Sequence, residues 1–137
     1  MGILLQVRLN IQIAERWATE EEPLSIRCGR NEIQVFFDDI AEPTPVPKPE
    51  ALEDIAGGFG LQRLYGDIVE SSSGHCCFGS LGTAVFRSHE CPRIQVWLLS
   101  NGKTLIWAIH VCHDAPDERE LFEAKELVQA LSLAPEP

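Results

Sequence analysis

The chain predicts an α+β fold: a largely antiparallel β-sheet flanked by two helices, an α/β/α sandwich. Three observations carry this. Between Ile94 and Cys112, Asn101-Gly102 separates two apolar, β-branched runs, a strong hairpin signal because a two-residue type I′ turn needs positive φ at both central positions. Residues 3–13, 24–28 and 33–37 alternate apolar and polar side chains, the pattern of strands with one buried face. Leu121, Ala124, Val128 and Leu131 recur at helical spacing behind an acidic, proline-bearing first turn.

In chain order, Ile3 to Ile13 reads as one long strand, with Ile3, Leu5, Val7, Leu9, Ile11 and Ile13 on one side. Leu24, Ile26 and Cys28 form a second strand. Gly29-Arg30-Asn31 turns the chain into a third, with Ile33, Val35 and Phe37 on one face and Phe36 on the reverse. Four alternating prolines between Glu42 and Pro49 make an extended connector, because proline fixes φ and restricts its predecessor. A helix starts at Pro49 or Glu50, with Leu52, Ile55 and Ala56 on one face, and is weakened or ended at Gly57, Gly58 and Gly60. A short helical turn follows over Leu61–Tyr65. Ile68-Val69 is a brief extended piece, Ser71–Gly74 a turn, and His75–Ser88 a strand.

The Asn-Gly turn sets an expected register: Ser100 opposite Lys103, Val96 opposite Trp107, Ile94 opposite Ile109. One face then holds Ile94, Val96, Leu98, Leu105, Trp107, Ile109 and Val111. The other is mixed, with Arg93, Gln95, Trp97, Ile106, Ala108 and His110, so cover is expected on both sides. Asp114 is the expected N-cap of the last helix, and Pro135 its end.

This order of elements resembles the PsbP-like superfamily, most specifically in the closing hairpin followed by the amphipathic segment Asp117–Leu131. That superfamily includes photosystem subunits, Ran-binding proteins and bacterial effector chaperones. The resemblance implies a non-enzymatic protein-binding fold.

A length of 137 residues fits one domain, residues 1–137, able to bury a core without staples. The net charge of −10 disfavours nucleic acid and anionic membrane surfaces and suits a basic protein partner. The N-terminus has no charged segment followed by an apolar core, and position 6 is Gln rather than the Ser or Thr of a myristoylation signal. A cytoplasmic address is expected, with the five cysteines reduced.

Every histidine stands near a cysteine: His75-Cys76-Cys77, His89-Glu90-Cys91, His110-Val111-Cys112-His113. The expected register puts Cys91 opposite Cys112 and Arg93 opposite His110. It thereby assembles a thiol- or zinc-dependent alternative on Cys91, His110 and Cys112, or a Cys91–Cys112 disulfide. Against zinc stand the lack of a Cys-x-x-Cys pair, the Arg93 cation and Pro92, which cannot donate to the ladder. No nucleophile has a base placed for it by spacing, so no catalytic residue, metal or cofactor is assigned.

Asp38, Asp39 and Glu42 form an acidic rim, either solvated or in contact with a partner. Trp97 is core if a helix covers its face, and otherwise an exposed anchor. The leading expectation is a non-enzymatic cytoplasmic protein-binding domain, most concretely a toxin immunity protein or a secretion adaptor or chaperone. Asp38, Asp39, Glu42 and Trp97 are its candidate contacts.

Overall fold

The computed structural model describes the backbone of residues 2–4, 9–12, 18–21 and 24–133, and side chains from 25 to 131. The strands are β1 (Gly2–Leu4), β2 (Leu9–Gln12), β3 (Ala18–Glu21), β4 (Leu24–Cys28), β5 (Asn31–Asp39), β6 (Asp67–Cys76), β7 (Gly79–Arg87), β8 (Arg93–Ser100), β9 (Thr104–Cys112) and β10 (Ser132–Leu133). Helix α1 spans Pro49–Gln62 between β5 and β6, and α2 spans Glu118–Gln129 after β9. Strands β3 to β9 make one antiparallel sheet in the order β3-β4-β5-β9-β8-β7-β6, and β1, β2 and β10 make a smaller one. This is the expected α+β architecture. No helix among the described residues is long and apolar enough to cross a membrane.

The two helices lie on opposite faces of the large sheet. Helix α1 crosses β6, β7 and β8. Ala56 on α1 packs with Ala84, Phe86, Ile94, Val96 and Ile109. Helix α2 covers the reverse face, where Ala124, Leu127 and Val128 meet Ile26, Ile33, Val35, Trp97, Leu99, Ile106 and Ala108. Each fully buried Ile, Leu or Phe in these layers contributes about 1.5–3 kcal/mol. Trp97 is therefore core: it is 3% exposed beneath α2 and is not presented to a partner.

Several expected boundaries move, each for a physical reason. The long N-terminal strand is two strands, because β1 and β2 pair antiparallel with Gly2 opposite Gln12. Residues 5–8 and 13 of that stretch lie outside the described residues. Helix α1 continues through Gly57 and Gly60 rather than ending there. The reason is contact: a Cβ on Gly60 would lie 2.1 Å from the Phe86 ring, so the lost propensity is exchanged for close helix–sheet approach. Ser71–Gly74, expected as a turn, lies inside β6, and the reversal falls at Cys77-Phe78.

The Asn-Gly hairpin forms, but its loop is longer than two residues and its register slides. Ser100 faces Leu105, Val96 faces Ile109 and Ile94 faces Val111. Asn101 Oδ1 accepts the N–H groups of Lys103 (2.8 Å) and Thr104 (2.9 Å), and Ser100 Oγ accepts that of Gly102 (3.0 Å). The connector after β5 lies over this loop. Ile40 N–H donates to Lys103 O and Thr44 N–H to Gly102 O, both at 2.8 Å. Gly102 has φ +89°, and a Cβ there would lie 2.1 Å from Thr44 O, so glycine is required twice over. Because the shift is two residues, every side chain keeps its expected face.

Helix α2 begins later than expected. Its cap is Asp117, whose carboxylate accepts the Glu120 N–H at 2.6 Å. Asp114 is held elsewhere, by Asn31 and Arg30. The helix ends at Gln129, and Pro135 lies outside the described residues. Asp117→Ala is expected to cost about 1 kcal/mol, read as a lower urea midpoint at unchanged slope. An unchanged midpoint would show that the cap carries no stability.

Candidate functional site

Three places on the molecule gather groups with chemical potential. The first is the half of the α1-side face that α1 leaves uncovered. Strand alternation puts Phe36 and Asp38 on that face, opposite Trp107 and Leu105 of β9. Phe36 is 39% exposed and stacks on Trp107, with centroids 6.1 Å apart and planes at 14°. Trp107 in turn meets Phe59 of α1 at 4.7 Å, and the Arg63 guanidinium lies 4.6 Å above the Phe59 ring. An aromatic row thus runs from the helix edge onto open sheet. Asp38, Asp39 and Glu42 are all exposed, and of the two aspartates Asp38 lies on this face. Asp39 also accepts the Thr104 hydroxyl at 3.2 Å, which leaves Asp38 the less committed of the two. Sequence alternation had already put Phe36 on the reverse face from Phe37. Its pairing with Trp107 needed the sheet order, because β5 and β9 are far apart in sequence.

The second place is buried between β9, β5 and the first turn of α2. His110 and Cys112 share a face of β9, two residues apart, and Glu120 descends onto them from α2. His110 Nε2 lies 2.8 Å from Glu120 Oε2 and 3.4 Å from Cys112 Sγ. Asn31 Nδ2 donates to both Glu120 oxygens, at 3.2 and 3.0 Å, and to Asp114 O at 3.0 Å. Burial pushes the His110 pKa down, against the opposing pull of Glu120. Burial, then the Glu120 charge, pushes the Cys112 thiol up to about 12.

This arrangement does not make an activated thiol. One imidazole nitrogen faces both the carboxylate and the sulfur, so a proton shared with Glu120 leaves no lone pair there to take the thiol's proton. A reactive cysteine needs a lowered pKa, and this one is raised.

The cluster corrects the expected register contacts. Arg93, not Cys91, faces Cys112, and Gln95 faces His110, because the hairpin slid by two residues. Cys91 is still close, with its thiol 3.1 Å from the Cys112 carbonyl oxygen, and both cysteines are free. His113 is exposed, and His75 and Cys77 are exposed at the far end of β6. Glu120 was missed. Its only sequence signal was its place three residues after a capping Asp, a position that usually faces solvent.

The third place is a cleft of about 430 Å³ between α2 and the β6 edge, floored by Thr83, Gln95 and Trp97 and flanked by Phe122 and Lys125. Arg93 Nη2 donates to Gln95 Oε1 at 2.8 Å, and Gln95 Nε2 to the Thr83 hydroxyl at 2.9 Å. The Arg93 Nε–H is buried with no hydrogen-bond partner among the described residues. No family model matches this chain, and no curated protein matches it.

Proposed function

We propose that this chain is a non-enzymatic protein-binding domain that docks a basic partner on the open α1-side face of its sheet. A toxin immunity protein or a secretion adaptor is its most concrete form. The observation that carries this is the exposed Phe36 ring stacked on Trp107 beside Asp38. Interfaces concentrate their energy in desolvated aromatic anchors, and carboxylates at the margin steer and orient a cationic partner. An Arg side chain can both stack on such a ring and pair with the adjacent carboxylate. The net charge of −10 extends the same field over the whole molecule. The resemblance of element order to the PsbP-like superfamily supports the same reading. The raised Cys112 pKa speaks against thiol chemistry at the buried cluster.

The test starts with recovery of a stoichiometric partner from the native cell by the full chain, followed by binding kinetics on the purified pair. Phe36→Ala is expected to weaken binding about 30-fold or more, chiefly through faster dissociation. Asp38→Lys is expected to slow association and flatten its salt dependence. A partner that binds both variants as it binds the native chain would remove this face from the proposal. Failure to recover any stoichiometric partner would count against the docking function itself.

A further inference from the structure

The buried cluster holds an arrangement that docking does not use. His110 Nε2, Cys112 Sγ and a Glu120 carboxylate oxygen all lie within 4.8 Å of one another, and all three residues are buried. They are three kinds of zinc donor, converging from two elements. Zinc binds sulfur at about 2.3 Å and nitrogen or oxygen at about 2.0–2.2 Å, so tetrahedral N and S ligands stand about 3.5 Å apart. The Cys112–His110 separation of 3.4 Å already meets that. The His110–Glu120 separation of 2.8 Å must open by about half an ångström for the ion to replace the shared proton.

We propose that His110 Nε2, Cys112 Sγ and the Glu120 carboxylate form a structural zinc site that fastens α2 to β9. Several features of the surroundings favour it. Among the described residues, the basic side chain at ion-pair distance from the buried Glu120 carboxylate is His110. The carboxylate and thiolate offset the double charge of the ion, while Arg93, opposite Cys112, adds a cation beside the site. Asn31 donates to both carboxylate oxygens and so holds Glu120 in orientation, as outer partners of metal ligands do. Burial of all three residues shields the site from bulk solvent. The fourth position is left to a water, because Cys91 packs in the α1-side core, outside this cluster.

On binding, the Cys112 S–H bond breaks and its proton leaves to solvent, while the imidazole carries its own proton on Nδ1 and ligates through Nε2. No redox change occurs. The site is independent of the docking face, and its test involves no partner.

The experiment uses the full chain, produced with zinc in the medium and purified without chelators. Zinc per chain is measured first. The metal is then exchanged for cobalt(II). One metal per chain is expected, with a thiolate-to-cobalt charge-transfer band and d–d bands of tetrahedral intensity. Cys112→Ser is expected to abolish the charge-transfer band and weaken zinc binding about 100-fold, while Cys77→Ser, at an exposed position, leaves both unchanged. Should Cys112→Ser fail to fold, cobalt titration of the native chain against a competing chelator still decides. A folded native chain that takes up no cobalt, or takes it up without a thiolate band, overturns the site, as does a band that survives in folded Cys112→Ser.

Discussion

Gly82→Ala is expected to be strongly destabilising. Gly82 lies on β7 where α1 crosses it. A Cβ there would fall 2.0 Å from Glu53 N and 2.2 Å from the Leu52 carbonyl carbon. These are backbone atoms inside a helix and cannot rotate aside. The helix must rise from the sheet, uncovering Leu52 and Ala56, which are now almost fully buried. Ordinary overpacking costs about 1–3 kcal/mol, and a clash with fixed backbone lies above that range, at about 4 kcal/mol. For a domain of this size that is a fall of about 10–20 °C in Tm. Gly58→Ala is the internal control. It lies in the same helix with nothing within 4 Å of the added Cβ, so it should stabilise by about 0.5–1 kcal/mol. Paired thermal melts give both signs at once. A Gly82→Ala protein that melts with the native chain would mean that α1 does not press on β7.

Asn31 is the second large effect. Its side chain makes contacts that join three parts of the fold. Nδ2 serves Asp114 O and both Glu120 oxygens, and Oδ1 accepts the Asp114 N–H at 2.9 Å. It is buried at the β4–β5 turn together with Glu120, so that carboxylate has no ready solvent to replace it. Asn31→Ala leaves a backbone donor, a backbone acceptor and a buried carboxylate short of partners. At about 1–3 kcal/mol for each group so abandoned, and with some relaxation, the expected loss is about 3–4 kcal/mol. Asn31→Asp keeps the shape but replaces the donor with a second carboxylate facing Glu120, and should be at least as destabilising at neutral pH. Denaturant unfolding of the two variants beside the native chain checks this. Native-like stability of Asn31→Asp would show that Asn31 and Glu120 do not meet. Because Asn31 is a support and not a donor in the proposed zinc site, the loss is expected with or without metal.

Much of the sheet was legible in the residues themselves. Alternation along β4, β5, β8 and β9 sorted side chains onto two faces, and the structure keeps that sorting at every position compared. Helical spacing located both helices, and the open acidic rim at Asp38–Glu42 followed from its composition. Local patterns could do this because a two-residue or 3.6-residue period depends only on backbone geometry.

What they could not determine is how far one strand slides along another, or what lies on top. The connector bonds to Gly102 and Lys103 in a hairpin loop wider than two residues, whose register puts Arg93, not Cys91, opposite Cys112. The Phe86 ring turned Gly60 from a helix breaker into a contact point. Helix α2 buried Trp97 and carried Glu120 to His110. Each of these depends on a partner distant in the chain. The residues alone determined which faces exist, and only the packed structure decided which of them are covered and which donors meet.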